Sequence, residues 1–137
     1  QSSGAGHRGS AVLSPWFHFM APPTPSPTTM VLEPGAGGTD AEMIEAVGDG
    51  LWLDQLGYAF PDAISSTFGG EVRLGYVVER GKLTNPVRGG TVGGVVLGGP
   101  GEASMLQSVR SIGSHPSLVG RLSAPTISVG SLTVAGA

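Results

Sequence analysis

The chain closes on APTISVGSLTVAGA, residues 124–137, where Ile127 and Val129 fall on one side of an extended backbone and Leu132 and Val134 come after Gly130. A period of two predicts strands with one face buried. The same period runs through EVRLGYVVERGKLTNPV from Glu71, with Val72, Leu74, Tyr76 and Val78 on one face. Glu79 to Lys82 supply the turn of a hairpin, and Gly81 is the residue free to take a positive φ. MVLEPG, residues 30 to 35, is a short strand stopped by Pro34-Gly35, and LWLDQLGYAF is extended or loop. PVRGGTVGGVVLGG holds too much glycine for a long regular strand.

The period changes once. Thr39 stands three residues before Glu42, the spacing of a capping box, and Met43, Ile44 and Val47 form one face of a helix over residues 40 to 48. Gly48-Asp49-Gly50 ends it. A second short helix is expected over Glu102 to Val109, after a Gly-Pro-Gly break. Near the N-terminus Trp16, His18 and Met20 alternate with Phe17 and Phe19, so both faces of that strand are bulky and require burial or an interface. Four prolines between Pro22 and Pro27 then favour a polyproline-like connector over a central strand. The expected fold is α+β: a β-dominated domain of mostly antiparallel strands with one or two short helices. Residues 1–27 form an N-terminal strand and Pro-rich connector, and residues 28–137 the domain proper, one structural unit together.

Composition narrows the function more than the fold. The 137 residues allow one modest core. Although 24 glycines and 11 prolines raise the question of disorder, 39% hydrophobic against 12% charged residues leaves enough apolar surface to bury. Seven basic residues against ten acidic ones give a net charge of −3, with the basic residues dispersed, so no nucleic-acid partner is expected. No apolar run reaches the length of a membrane span, so no membrane partner is expected either. The absence of cysteine removes disulfides, thiol chemistry and thiolate metal sites, and is compatible with the cytoplasmic location expected here. The opening QSSGAGHRGS lacks a leader signature and begins with Gln1, which reads as part of something longer: a fragment, or a cleaved or truncated chain.

Candidate chemistry is sparse. His7, His18 and His115 have no metal-binding spacing. His18 sits among aromatics as a packed imidazole does, and His115, before Pro116, is a loop residue with substrate contact as the alternative. No GxSxG elbow and no GxxxxGK[ST] loop is present. GGTVGG and VLGGPG therefore read as turns and close backbone approaches, and Asp40, Glu42 and Glu45 as residues suited to a helix start.

Three blocks in order resemble the C-terminal domain of the TldD/PmbA family, once called modulators of DNA gyrase: TTMVLEPGAGGTDAEMIEAVGDGLWL, VRLGYVVERGKLTNPVRGGTVGG and SAPTISVGSLTVAGA. The matching positions are Glu33-Pro34-Gly35, Gly50-Leu51, Glu79, Gly81, Pro86 to Gly89 and Leu132 to Gly136, and the likeness covers about residues 28 to 136. It implies one side of a pair, TldD with TldE (PmbA), that cleaves unfolded peptides. In the family the zinc helix lies in an upstream domain of the TldD-type subunit, with a cysteine ligand near its C-terminus. GSHPSLVGRLSAP carries no cysteine, so the resemblance is to the TldE/PmbA side.

The resemblance therefore implies a non-catalytic portion or split subunit of a heteromeric zinc metallopeptidase. Such a chain has no cofactor of its own, zinc on a TldD-like partner or on the rest of its own precursor, and unfolded peptides or small peptide-like molecules as substrate. Asn85, Pro86, Val87, Arg88, Gly89 and His115 are the substrate-contacting candidates, with strand edges and glycine turns offering backbone groups to an extended peptide. Ser114 where the family often has asparagine, and the Pro-rich insert, point to a specialised paralogue. The alternatives are a catalytically silent interaction domain using Trp16 to Phe19 and the proline segment, and a stand-alone metal-dependent hydrolase in which the three histidines converge.

Overall fold

A computed structural model describes residues 6–7, 24–25, 29–130 and 132–136. Trp16 to Phe19, with His18, lie outside the described residues, as does the Pro-rich segment except for one pair. That pair, β2 (Thr24–Pro25), runs antiparallel to β1 (Gly6–His7). The other strands among the described residues are β3 (Met30–Val31), β4 (Gly50–Asp62), β5 (Thr67–Glu79), β6 (Lys82–Val87), β7 (Thr91–Val95), β8 (Val109–Val119), β9 (Leu122–Val129) and β10 (Thr133–Ala135), with one α-helix among the same residues, α1 (Asp40–Val47). The fold is β-dominated α+β, with every pairing among the described residues antiparallel except that of β3 with β9.

Strand β5 organises the larger sheet. It pairs β4 along one edge, while its other edge is shared between β7, at Thr67–Glu71, and β6, at Gly75–Glu79. β10 continues the sheet beyond β7. Val72 and Val78 are the buried residues of the alternating face, and with Met43 of α1 and Val92 of β7 they are the large apolar side chains that are fully enclosed among the described residues. The expected hairpin forms: Glu79 pairs Lys82, and both central residues take positive φ, Arg80 at 50° and Gly81 at 73°. This is the two-residue primed turn whose twist suits antiparallel strands. The segment expected as extended or loop is β4, interrupted by register shifts between Leu53 and Phe60, with Tyr58 at φ 51° inside the irregular stretch.

A second sheet, in the order β3-β9-β8, stands apart in hydrogen bonding, and α1 touches β6 of one sheet and β8 and β9 of the other. The C-terminal segment links the two. β9 belongs to the three-stranded sheet and β10 to the five-stranded one, with Gly130 between them donating its N–H to Ser108 O at 2.7 Å.

The helix expected over Glu102 to Val109 does not form; a single 3-10 turn at Leu106–Ser108 takes its place. Met105 and Leu106 spend their N–H groups on the Val95 and Val96 carbonyls (2.7 and 3.3 Å), which ties the segment to the end of β7. Buried Ser104 accepts from the Gln107 N–H, and the Ser108 hydroxyl donates to Met105 O. Serine side chains thus meet backbone groups locally, and a short segment gains too little to nucleate a longer helix. No helix among the described residues is long and apolar enough to cross a membrane.

Candidate functional site

The start of α1 is a densely hydrogen-bonded corner. Glu33-Pro34-Gly35 and the glycines after it run along β8: Gly35 donates to Gly113 O (2.9 Å), Gly37 to Ile112 O (2.8 Å), and Ser114 to Gly38 O (2.8 Å). This contact sits at the shift in the β8–β9 register between Ile112 and Pro116. Thr39 then caps the helix as its spacing predicts, its hydroxyl accepting from the Glu42 N–H while the Glu42 carboxylate accepts from the Thr39 N–H at 2.7 Å. The Thr126 hydroxyl donates to Asp40 at 2.7 Å, fastening the helix start to β9.

His115 lies at this corner, its Nδ1 2.9 Å from the Ser114 hydroxyl. The Glu42 carboxyl is held below its ordinary range, first by the Thr39 backbone N–H, then by the Thr39 hydroxyl, with a smaller charge contribution from His115. Among the described residues no three His, Asp or Glu side chains converge on a point. At this corner Glu42 accepts from Thr39, Asp40 accepts from Thr126, and His115 meets Ser114 through Nδ1.

The other substrate-contacting candidates are on the larger sheet. Asn85, Pro86 and Val87 end β6, with Pro86 opposite Tyr76 and Val87 opposite Gly75; Arg88 and Gly89 form the exposed link to β7. Gly89 donates to Val72 O (2.9 Å) and Val72 to Gly90 O (2.7 Å), which holds the link against the centre of β5. His115 belongs to the other sheet, and no hydrogen bond among the described residues joins it to this stretch. The candidates therefore form two places rather than one.

Two concave surfaces went unrecognised in the sequence. One is a trough of about 500 Å³ on the outer face of the five-stranded sheet, floored by Gly69, Gly70 and Gly93 and walled by Tyr58 and Phe60. Beside it the Arg73 guanidinium stacks 5.0 Å from the centre of the Tyr58 ring and pairs with Glu71 at 3.1 Å. The signal was there in YAF and in the paired glycines of FGG and VGG, but the pairing of β5 with β7 that brings them together is non-local. The other is a cavity of about 640 Å³ between the two larger sheets, under α1, lined by side chains of β4, β7, β9 and β10 among others.

The sequence pattern of the PmbA/TldA metallopeptidase C-terminal domain matches residues 1–136. Two solved structures share the fold. A protein of Thermotoga maritima described as a proposed modulator of a DNA gyrase superposes with a TM-score of 0.66 at 24% identity, over 77% of this chain and 23% of that one. One of Bacteroides thetaiotaomicron, described as a proposed modulator of DNA gyrase, gives 0.65 at 21%, over 88% and 26%. The chain thus spans about a quarter of the length of these solved proteins.

Proposed function

Because the chain belongs to the PmbA/TldA metallopeptidase C-terminal domain family, we propose that it serves as the supporting, TldE/PmbA-like side of a peptide-hydrolysing assembly. The zinc and the bond-breaking chemistry belong to a TldD-like partner, and this chain receives and aligns an extended peptide. The observation that carries the reading is the family match over residues 1–136. Two features of the chain favour a receiving surface over a reacting one. Thr39 and Thr126 engage the Glu42 and Asp40 carboxylates in fastening the start of α1, and large apolar side chains stand in the open on β4 and its turn, Tyr58 at 69%, Phe60 at 71% and Ile64 at 98% exposure. In this reading Asn85 to Gly89 and His115 touch the peptide from the two sheets that α1 bridges.

Co-expression with a TldD-like subunit tests the assembly. The chain is expected to elute with that subunit as one species, with zinc in proportion to the partner alone. A chain that stays monodisperse beside it, or that carries stoichiometric zinc by itself, overturns the reading.

A further inference from the structure

The cavity between the sheets has a chemistry that the proposed role does not use. It is an open cleft, since Leu51, Ile127 and Val134 on its walls are exposed, and its volume of about 640 Å³ falls in the range of small-ligand sites. The walls are apolar, with Leu51 and Leu53 from β4, Val92 from β7, Ile127 from β9 and Val134 from β10. Two charged residues line it, Asp49 and Arg110. The Asp49 carboxylate accepts the Arg80 N–H at 2.9 Å through one oxygen and so steadies the β5–β6 turn. Arg110 has no ion-pair or hydrogen-bond partner among the described residues. Its guanidinium lies over Gly130, where a Cβ would stand 2.9 Å from Nε, so the missing side chain leaves it room at the cavity wall.

Backbone adds a second selectivity. Among the described residues β4 has no strand on the side away from β5, and β9 beyond Ser123 pairs only with β8. Residues of both, Gly50 to Leu53 and Thr126 to Val129, line the cavity. Unpaired strand edges offer main-chain donors and acceptors that an extended peptide satisfies and a free carboxylic acid does not. We propose that this cavity binds the C-terminal end of an extended apolar peptide, with Arg110 pairing its terminal carboxylate. A carboxylate gains a charge-assisted pair there, while a neutral end gains none. The choice of a peptide as ligand rests on the peptide-processing reading; the carboxylate and the apolar side chains are set by the cavity itself.

Calorimetric titration of the chain tests this with three probes: acetyl-Ala-Ala-Val-Phe with a free C-terminus, the same peptide as its C-terminal amide, and 4-phenylbutyrate. The free-acid peptide is expected to saturate one site, with the amide about two- to fivefold weaker, as an exposed ion pair gives, and phenylbutyrate weaker than the free-acid peptide as well. Arg110→Gln should erase the difference between acid and amide, and Arg110→Lys should restore part of it, with circular dichroism unchanged because the side chain is exposed. Equal binding of acid and amide, an undiminished preference in Arg110→Gln, phenylbutyrate binding as tightly as the peptide, or no binding at all would each overturn the proposal. Binding is read without any partner, so a failure of hydrolysis in the assembly leaves this site standing. Conversely, hydrolysis with no acid-over-amide preference sinks the site and spares the functional reading.

Discussion

At Gly35 an added Cβ would lie 2.6 Å from the Ile112 carbonyl oxygen, and at Gly37 2.7 Å from the same atom. Backbone cannot give way there without losing the hydrogen bonds that join this loop to β8. Gly35→Ala is therefore expected to destabilise the fold by about 2 kcal/mol, read from the urea midpoint. Gly69→Ala is the control: no atom lies within 4 Å of its Cβ and its φ is ordinary, so the change should be neutral or slightly stabilising, within about 1 kcal/mol. Two carboxylates contribute to the acid limb of stability. Asp62 is held below its usual range first by the Ile64 N–H, then by the Ser65 hydroxyl and N–H, and Glu42 first by the Thr39 N–H, then by the Thr39 hydroxyl. Each has a folded pKa below its unfolded one. The stability they contribute is complete above the unfolded carboxylate range, about pH 4, and drains as pH falls through the folded values. An NMR titration should place each below its ordinary carboxylate value, and Thr39→Ala should move Glu42 back toward it.

Among the elements, those whose signals are local were legible in the sequence. Thr39 and Glu42 gave the helix start, Gly48 its end, and Arg80-Gly81 the hairpin, because each depends on residues within one turn of chain. The strands at the end of the chain were legible too, but not their partners. Ile127 and Val134 read as successive strands of one pattern, yet they belong to different sheets, a choice made by β8 and β7. The trough and the cavity were hidden for the same reason, since each is built where distant strands meet. The Glu102 to Val109 stretch misled because the N–H groups of Met105 and Leu106 are taken by Val95 and Val96, which no local pattern reports. The hairpin turn can be tested directly. Gly81 has φ 73° and would bring a Cβ 2.9 Å from Glu45 Cα, so Gly81→Ala should cost about 1–2 kcal/mol. The backbone at Arg80, with φ 50°, suits Asn better than Arg, and Arg80→Asn should raise stability by about 0.5 kcal/mol; thermal unfolding of both variants checks the pair.

On the scale of the whole molecule, few large side chains among the described residues are fully buried, while Leu118 and Val119, both 72% exposed, join Tyr58, Phe60 and Ile64 on the surface. The family match to a metallopeptidase C-terminal domain is what leads to the proposed supporting part in a larger assembly. The most direct measurement is cleavage of an unfolded peptide by the chain, by a TldD-like zinc subunit, and by the two mixed. Negligible hydrolysis is predicted for either alone, and at least about a hundredfold more for the mixture, lost on chelation of zinc. Cleavage by this chain alone, or a mixture no faster than the zinc subunit by itself, would contradict the supporting role.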